Sequence, residues 1–115
     1  MSNQKINNDF SENIIEHYYN DWWRISQHKY LRQDFIRKYK DEVDWRLICI
    51  YQKLSEKFII ELRDKVDWKW ISKFQKLSSK FIKENIDKLN LEYLFENTHL
   101  SKEMKQELKS YKVIS

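Results

Sequence analysis

The sequence predicts an all-α fold: a short α-solenoid of helix-turn-helix repeats with a period of 23 residues, closed by N- and C-terminal capping units. Three observations predict it. Apolar and polar columns recur in strict register, each helix start carries its own side-chain cap, and the chain has neither glycine nor proline, so its turns are made by other means. Aromatic residues make up 16% of the 115 residues, so large side chains supply the burial that one domain of this size needs.

The register is explicit. Trp22, Trp45, Trp68 and Leu91 stand 23 residues apart. Asp21, Asp44, Asp67 and Asn90 precede them, and Ile25, Ile48, Ile71 and Leu94 follow three residues later. Leu31, Leu54, Leu77 and Leu100 continue it, then Phe35, Phe58, Phe81 and Met104.

In chain order, residues 1–10 are rich in Asn, Ser and Gln and read as a frayed tail. Ser11 then starts a lone helix carrying Ile14, Ile15, Tyr18 and Tyr19, equivalent to the second helix of a unit with its linker shortened by two residues. Residues 11–115 read as a single helical-repeat domain of units at about 21–43, 44–66, 67–89 and 90–112. Asp44 caps a helix from about Trp45 to Lys53, and Ser55 caps a second from about Glu56 to Asp64, because both side chains accept bonds from orphan N–H groups. Asp67 with Ser78, and Asn90 with Ser101, repeat the arrangement. Val43 with Ile48, Leu54 with Ile59, Val66 with Ile71 and Leu77 with Ile82 have hydrophobic-staple spacing, which fixes the angle of entry into each helix. Trp45, Trp68 and the Ile, Leu and Phe columns of the middle units are the expected core. In the last unit Trp gives way to Leu91, the aromatic column to Asn97 and Ile to Lys105, as an end unit with a polar outer face requires.

The strings DEVDWRLICIYQKLSEKFI and DKVDWKWISKFQKLSSKFI resemble the short DxVDWxxISxxQxLSxxFI repeats of giant DNA virus proteins and some phage proteins. The likeness covers about residues 21 to 109 and is sharpest in the two middle units. It implies a helical array, and a small protein of a virus or mobile element that blocks a host factor, an inhibitor of host defence such as an anti-CRISPR being one version.

Several chemistries find no support in the residues. Without glycine there is no phosphate-cradling loop, and the lone Cys49 forms no internal disulfide and has no thiolate metal spacing. A reducing compartment is the natural reading. The start MSNQKINNDF lacks the apolar core of a secretory signal, and no stretch approaches the roughly 18 apolar residues of a membrane span, so a cytoplasmic protein with no membrane association is expected. Asp21, Asp44 and Asp67 are carboxylates with aromatic neighbours, a setting that suits acid/base groups, but capping explains their spacing and their Asn90 substitute. Ser55, Ser78 and Ser101 are caps for the same reason. His17, His28 and His99 fall at different repeat positions, without the paired spacing of metal ligands. No catalytic residue, cofactor or metal is expected, and the chain does not read as an enzyme.

The solvent face of each first helix is where a partner can be selected. Positions one, five and eight after the Trp column share a helical face. They hold Trp23, Gln27 and Tyr30, then Arg46, Ile50 and Lys53, then Lys69, Lys73 and Lys76, and finally Glu92, Glu96 and His99. A protein partner would use Trp23, Tyr30 and Ile50 as anchors and the basic residues for steering. A nucleic acid would use Arg46, Lys53, Lys69, Lys73 and Lys76 on phosphates and the aromatic rings on bases. Protein is favoured, because Glu92 and Glu96 repel a phosphate backbone and a net charge of +4 is modest for a phosphate binder. The apolar ends of an open stack make a homodimer a further option.

Overall fold

The computed structural model describes residues 13–29 and 31–114, with side chains as far as Tyr111; the tail 1–10, the Ser11 cap and Tyr30 lie outside them. Among the described residues the protein is all-helical, with no strand. Helix α1 takes residues 13–17. It is followed by α2 (Trp22–Ser26), α3 (Gln33–Lys38), α4 (Trp45–Tyr51), α5 (Glu56–Glu61), α6 (Trp68–Phe74), α7 (Ser79–Glu84), α8 (Leu91–Phe95) and α9 (Lys102–Ile114). They group into two compact halves, one ending at Gln52 and the other beginning at Lys53. In the first half α2 packs on α4; in the second, α6 packs on α8 and α8 on α9.

Every expected cap that lies within the described residues is made. Oxygens of Asp21, Asp44, Asp67 and Asn90 accept from the N–H of Arg24, Leu47, Trp70 and Tyr93 at 3.3, 3.3, 3.4 and 3.0 Å, each the third residue of its helix. Ser55, Ser78 and Ser101 do the same for Phe58, Phe81 and Met104 at 3.1, 3.1 and 3.0 Å. The staple residues Val43, Ile48, Leu54, Ile59, Val66, Ile71, Leu77 and Ile82 are all buried. Each fully buried aliphatic contributes roughly 1.5–3 kcal/mol, so the staple outweighs the cap that it accompanies.

Helices α2 to α8 stop without glycine because each of their stops keeps φ negative, α2 and α8 ending at Gln27 and Glu96 with φ of −91° and −89° and ψ of −4°. The second helices end at Tyr39, Leu62 and Asn85 with φ of −108°, −108° and −121°, and their carbonyls accept from Val43, Val66 and Leu89 at 3.0, 3.0 and 3.1 Å. The first helices α4 and α6 end by turning straight into extended backbone at Gln52 and Gln75, with ψ of 144° and 148°. That stop comes earlier than the sequence suggested, and it places Lys53 and Lys76 in extended linkers rather than on a helical face.

The tryptophan column is a correction to the expected core. Trp45 and Trp68 are half-buried, and their indole N–H groups donate to the carbonyls of Lys40 and Arg63 at 2.8 and 3.0 Å. Each ring thus closes the turn before its own helix, and Trp68 stacks at 6.4 Å over Phe81. The Ile, Leu and Phe columns of the middle units are buried as expected, and the fully buried positions include Ile25, Ile48, Ile71 and Leu94, with Phe58 and Ile82.

Consecutive repeats are tied by buried amides. Gln52 donates its side-chain amide to the carbonyls of Ser26 and His28. Gln75 accepts from the N–H of Leu54 at 3.0 Å. Asn97, expected to make an outer face polar, has no exposed surface; it donates to the carbonyls of Ser72 and Gln75 at 2.7 and 2.9 Å and accepts from His99 N–H at 2.8 Å. The hydroxyls of Ser26 and Ser72 accept from the backbone N–H of Asp44 and Asn90, each at 2.8 Å. At the C-terminal end Lys83 of α7 meets Glu107 of α9 at 2.6 Å, and this hydrogen bond, then the carboxylate charge, raises the lysine pKa.

Asn97→Ala leaves two buried carbonyls and one N–H without their partner, and is expected to cost about 2–3 kcal/mol in urea unfolding, against about 1 kcal/mol for Asp67→Ala or Ser78→Ala at a cap. An Asn97→Ala loss below about 0.5 kcal/mol, the range of surface changes, would return Asn97 to the role of a solvated end residue.

Candidate functional site

The residues left outward by this packing fall into separate groups in the two halves. In the first half, α2 turns Ile25 and Ser26 inward, which sends Trp23 outward with 57% of its surface exposed. Beside it runs a shallow groove lined by Tyr18, Trp23, Arg24, Gln27, His28 and Lys29. On α4, Arg46 is exposed, with a guanidinium nitrogen 3.8 Å from Asp44 across the helix start, and Ile50 is half-buried. Tyr51, which the sequence reading did not single out, is 53% exposed.

Tyr19 is the other departure in this half. It lies with Tyr18 in the turn after α1, neither of them in the helix expected to carry both, and 91% of the Tyr19 surface is exposed. Tyr19 and Asn20 take φ of 53° and 61°, the left-handed region that Asn tolerates and Tyr adopts at a cost of about 1–2 kcal/mol. The linker before α2 is two residues shorter than those after the other second helices, and here the chain reverses through left-handed backbone.

In the second half, Lys53, Lys69 and Lys76 are exposed and Lys73 is half-buried. Lys69 and Lys73 share an aromatic cluster that sequence reasoning missed. Trp70 of α6 stacks on Tyr93 of α8 at 5.5 Å and lies 5.8 Å from Phe74. The Lys69 ammonium sits 5.0 Å from the Trp70 ring centre and 5.9 Å from that of Tyr93. Lys73 sits 6.0, 5.5 and 5.8 Å from Trp70, Phe74 and Tyr93, and its Nζ pairs with Glu96 at 3.1 Å. Cations over ring faces gain about 0.5–1 kcal/mol at exposed sites, so these lysines are oriented rather than freely swinging. The signal for this cluster was present in the positions two and six after the Trp column, Trp70, Phe74 and Tyr93, but only the packing of α6 against α8 brings them together.

Trp23, Arg46 and Ile50 thus belong to one half, and Lys53, Lys69, Lys73 and Lys76 to the other. His17 meets Tyr18 edge-on at 4.7 Å, and Tyr18 meets His28 at 6.3 Å. Among the described residues no group of three His, Cys, Asp or Glu could hold a metal ion, and Cys49 is fully buried. No helix among them is long and apolar enough to cross a membrane. Comparison with protein families, with curated proteins and with solved structures found no match.

Tyr19→Gly removes the steric cost of left-handed backbone from a residue that is almost wholly in solvent, and is expected to raise the unfolding free energy by about 0.5–1 kcal/mol. A clear loss of stability in thermal or urea unfolding would show that the Tyr19 ring is held by contacts of its own.

Proposed function

We propose that the protein is a non-catalytic interaction module that docks a protein partner on the outward residues of its first helices. The observation that carries this reading is Trp23. An indole 57% exposed on α2 lies outside the buried core and lines the shallow groove with Tyr18 and Gln27. Large aromatics left open in this way are the anchors of protein interfaces, where they are desolvated on binding. Arg46 and Ile50 on α4 extend the surface with one charge and one apolar contact, and Tyr51 adds a second ring.

Binding of nucleic acid is the weaker reading. Lys73 is engaged by Glu96, and ammonium groups lie over Trp70 and Tyr93, ring faces on which bases would otherwise stack. The resemblance of the middle repeats to viral and phage arrays supports a narrower form, a small inhibitor of a host factor acting in the host cytoplasm.

Affinity capture from a native host extract, with and without nuclease, tests the proposal. A captured protein is expected to survive nuclease, and Trp23→Ala is expected to weaken it by about tenfold or more, mainly through faster dissociation, as for a hot-spot aromatic. Capture that disappears with nuclease, or that ignores Trp23→Ala, would overturn the reading.

A further inference from the structure

The excess of positive charge is confined to one half of the chain. From Lys53 onward there are fourteen basic and ten acidic residues, against eight of each up to Gln52. Within that half, Lys69 and Lys73 bring two ammonium groups over the same pair of rings, Trp70 and Tyr93, where like charges repel. One carboxylate answers them: Glu96 pairs with Lys73, while Lys69 makes no ion pair with a described residue. The cluster is short of one negative charge, and the half-buried rings exclude part of the water that would otherwise screen it.

We propose that the face formed by α6 and α8 docks an acidic segment of a partner protein, a carboxylate seating at Lys69 and Lys73 while a neighbouring apolar side chain covers the outer edges of Trp70, Phe74 and Tyr93. Lys76, exposed in the linker after α6, extends the basic character of the surface. The surface suits a peptide better than a nucleic acid. Glu96 projects from α8 beside Lys73, and an evenly charged phosphate backbone cannot avoid it, whereas a peptide can set one acidic residue beside neutral ones. The inference rests on the protein-interaction reading above and gives it the chemistry of its partner.

The test uses the full chain and short labelled peptides, one alternating Glu with Leu and Tyr, and the same peptide with Gln in place of Glu. Single- and double-stranded oligodeoxynucleotides of equal charge complete the set. Fluorescence anisotropy at about 0.15 M salt reads the binding, because there exposed charges beyond about 8 Å are screened and local pairing decides. The Glu peptide is expected to bind at least about tenfold more tightly than the Gln peptide and the oligonucleotides, with Lys69→Glu/Lys73→Glu removing that preference. Lys80→Glu/Lys109→Glu, which changes net charge equally at exposed sites on α7 and α9, is expected to change affinity by less than about threefold.

Lys69→Gln/Lys73→Gln, checked for an unchanged melting curve, repeats the loss without reversing charge. Oligonucleotides binding as tightly as the Glu peptide, equal losses in both double variants, self-association of the chain in place of peptide binding, or no binding of the Glu peptide would each overturn the proposal. Host capture that depends on Trp23 but not on Lys69 and Lys73 would remove this inference and leave the general reading standing.

Discussion

Helices of five to seven residues have more unsatisfied backbone groups at their ends than bonds within them, and satisfying those ends is the constraint on which this structure depends. At the starts, Asp, Asn and Ser side chains accept from the third residue of each helix. At the ends, the chain reaches outside its own repeat. Gln52, Gln75 and Asn97 bond backbone groups 21 to 26 residues away, and Ser26 and Ser72 accept from the N–H of a cap residue 18 positions on. A repeat left alone would have buried amides and carbonyls without partners, each costing about 1–3 kcal/mol, so the helices form where a neighbouring repeat is in place.

The absence of glycine follows the same logic. A helix usually leaves through left-handed backbone, where only glycine is unhindered. Here the second helices leave through a turn with φ near −110°, and α4 and α6 leave through extended backbone. Neither requires positive φ. The exception is the N-terminal turn at Tyr19 and Asn20, where the linker is shorter and the left-handed region is used without the residue that suits it.

Stacking constrains some columns tightly and leaves others open, and it is the open ones that differ in chemistry. In the first half they present an exposed indole with one arginine and an apolar neighbour. In the second they present lysines held over stacked rings beside a carboxylate. Both groups are built on helices, and the second is further oriented by ring and ion-pair contacts, so its side chains keep less rotameric freedom than lysines in open solvent.

Local chemistry was legible in the amino-acid order. The caps, the staples and the all-helical character come from interactions within four or five residues, and their recurrence every 23 residues can be read along a chain. Asn97 could not be read in the same way. It sits one position off the Gln52 and Gln75 column, and only the shorter α8, with a different stop, brings its amide to carbonyls 22 and 25 residues back. The Trp column looked like core because indoles are large and apolar, but the N–H of Trp45 and Trp68 found carbonyls in the preceding turn, and that bond holds each ring at the edge of the core. Trp70, Phe74 and Tyr93 were three scattered aromatics until α6 met α8. Bonds that close within one turn of helix were therefore determined by the sequence alone. Which rings meet, which amide is buried and which lysine is paired were decided by the crossing of helices that are neighbours only in space.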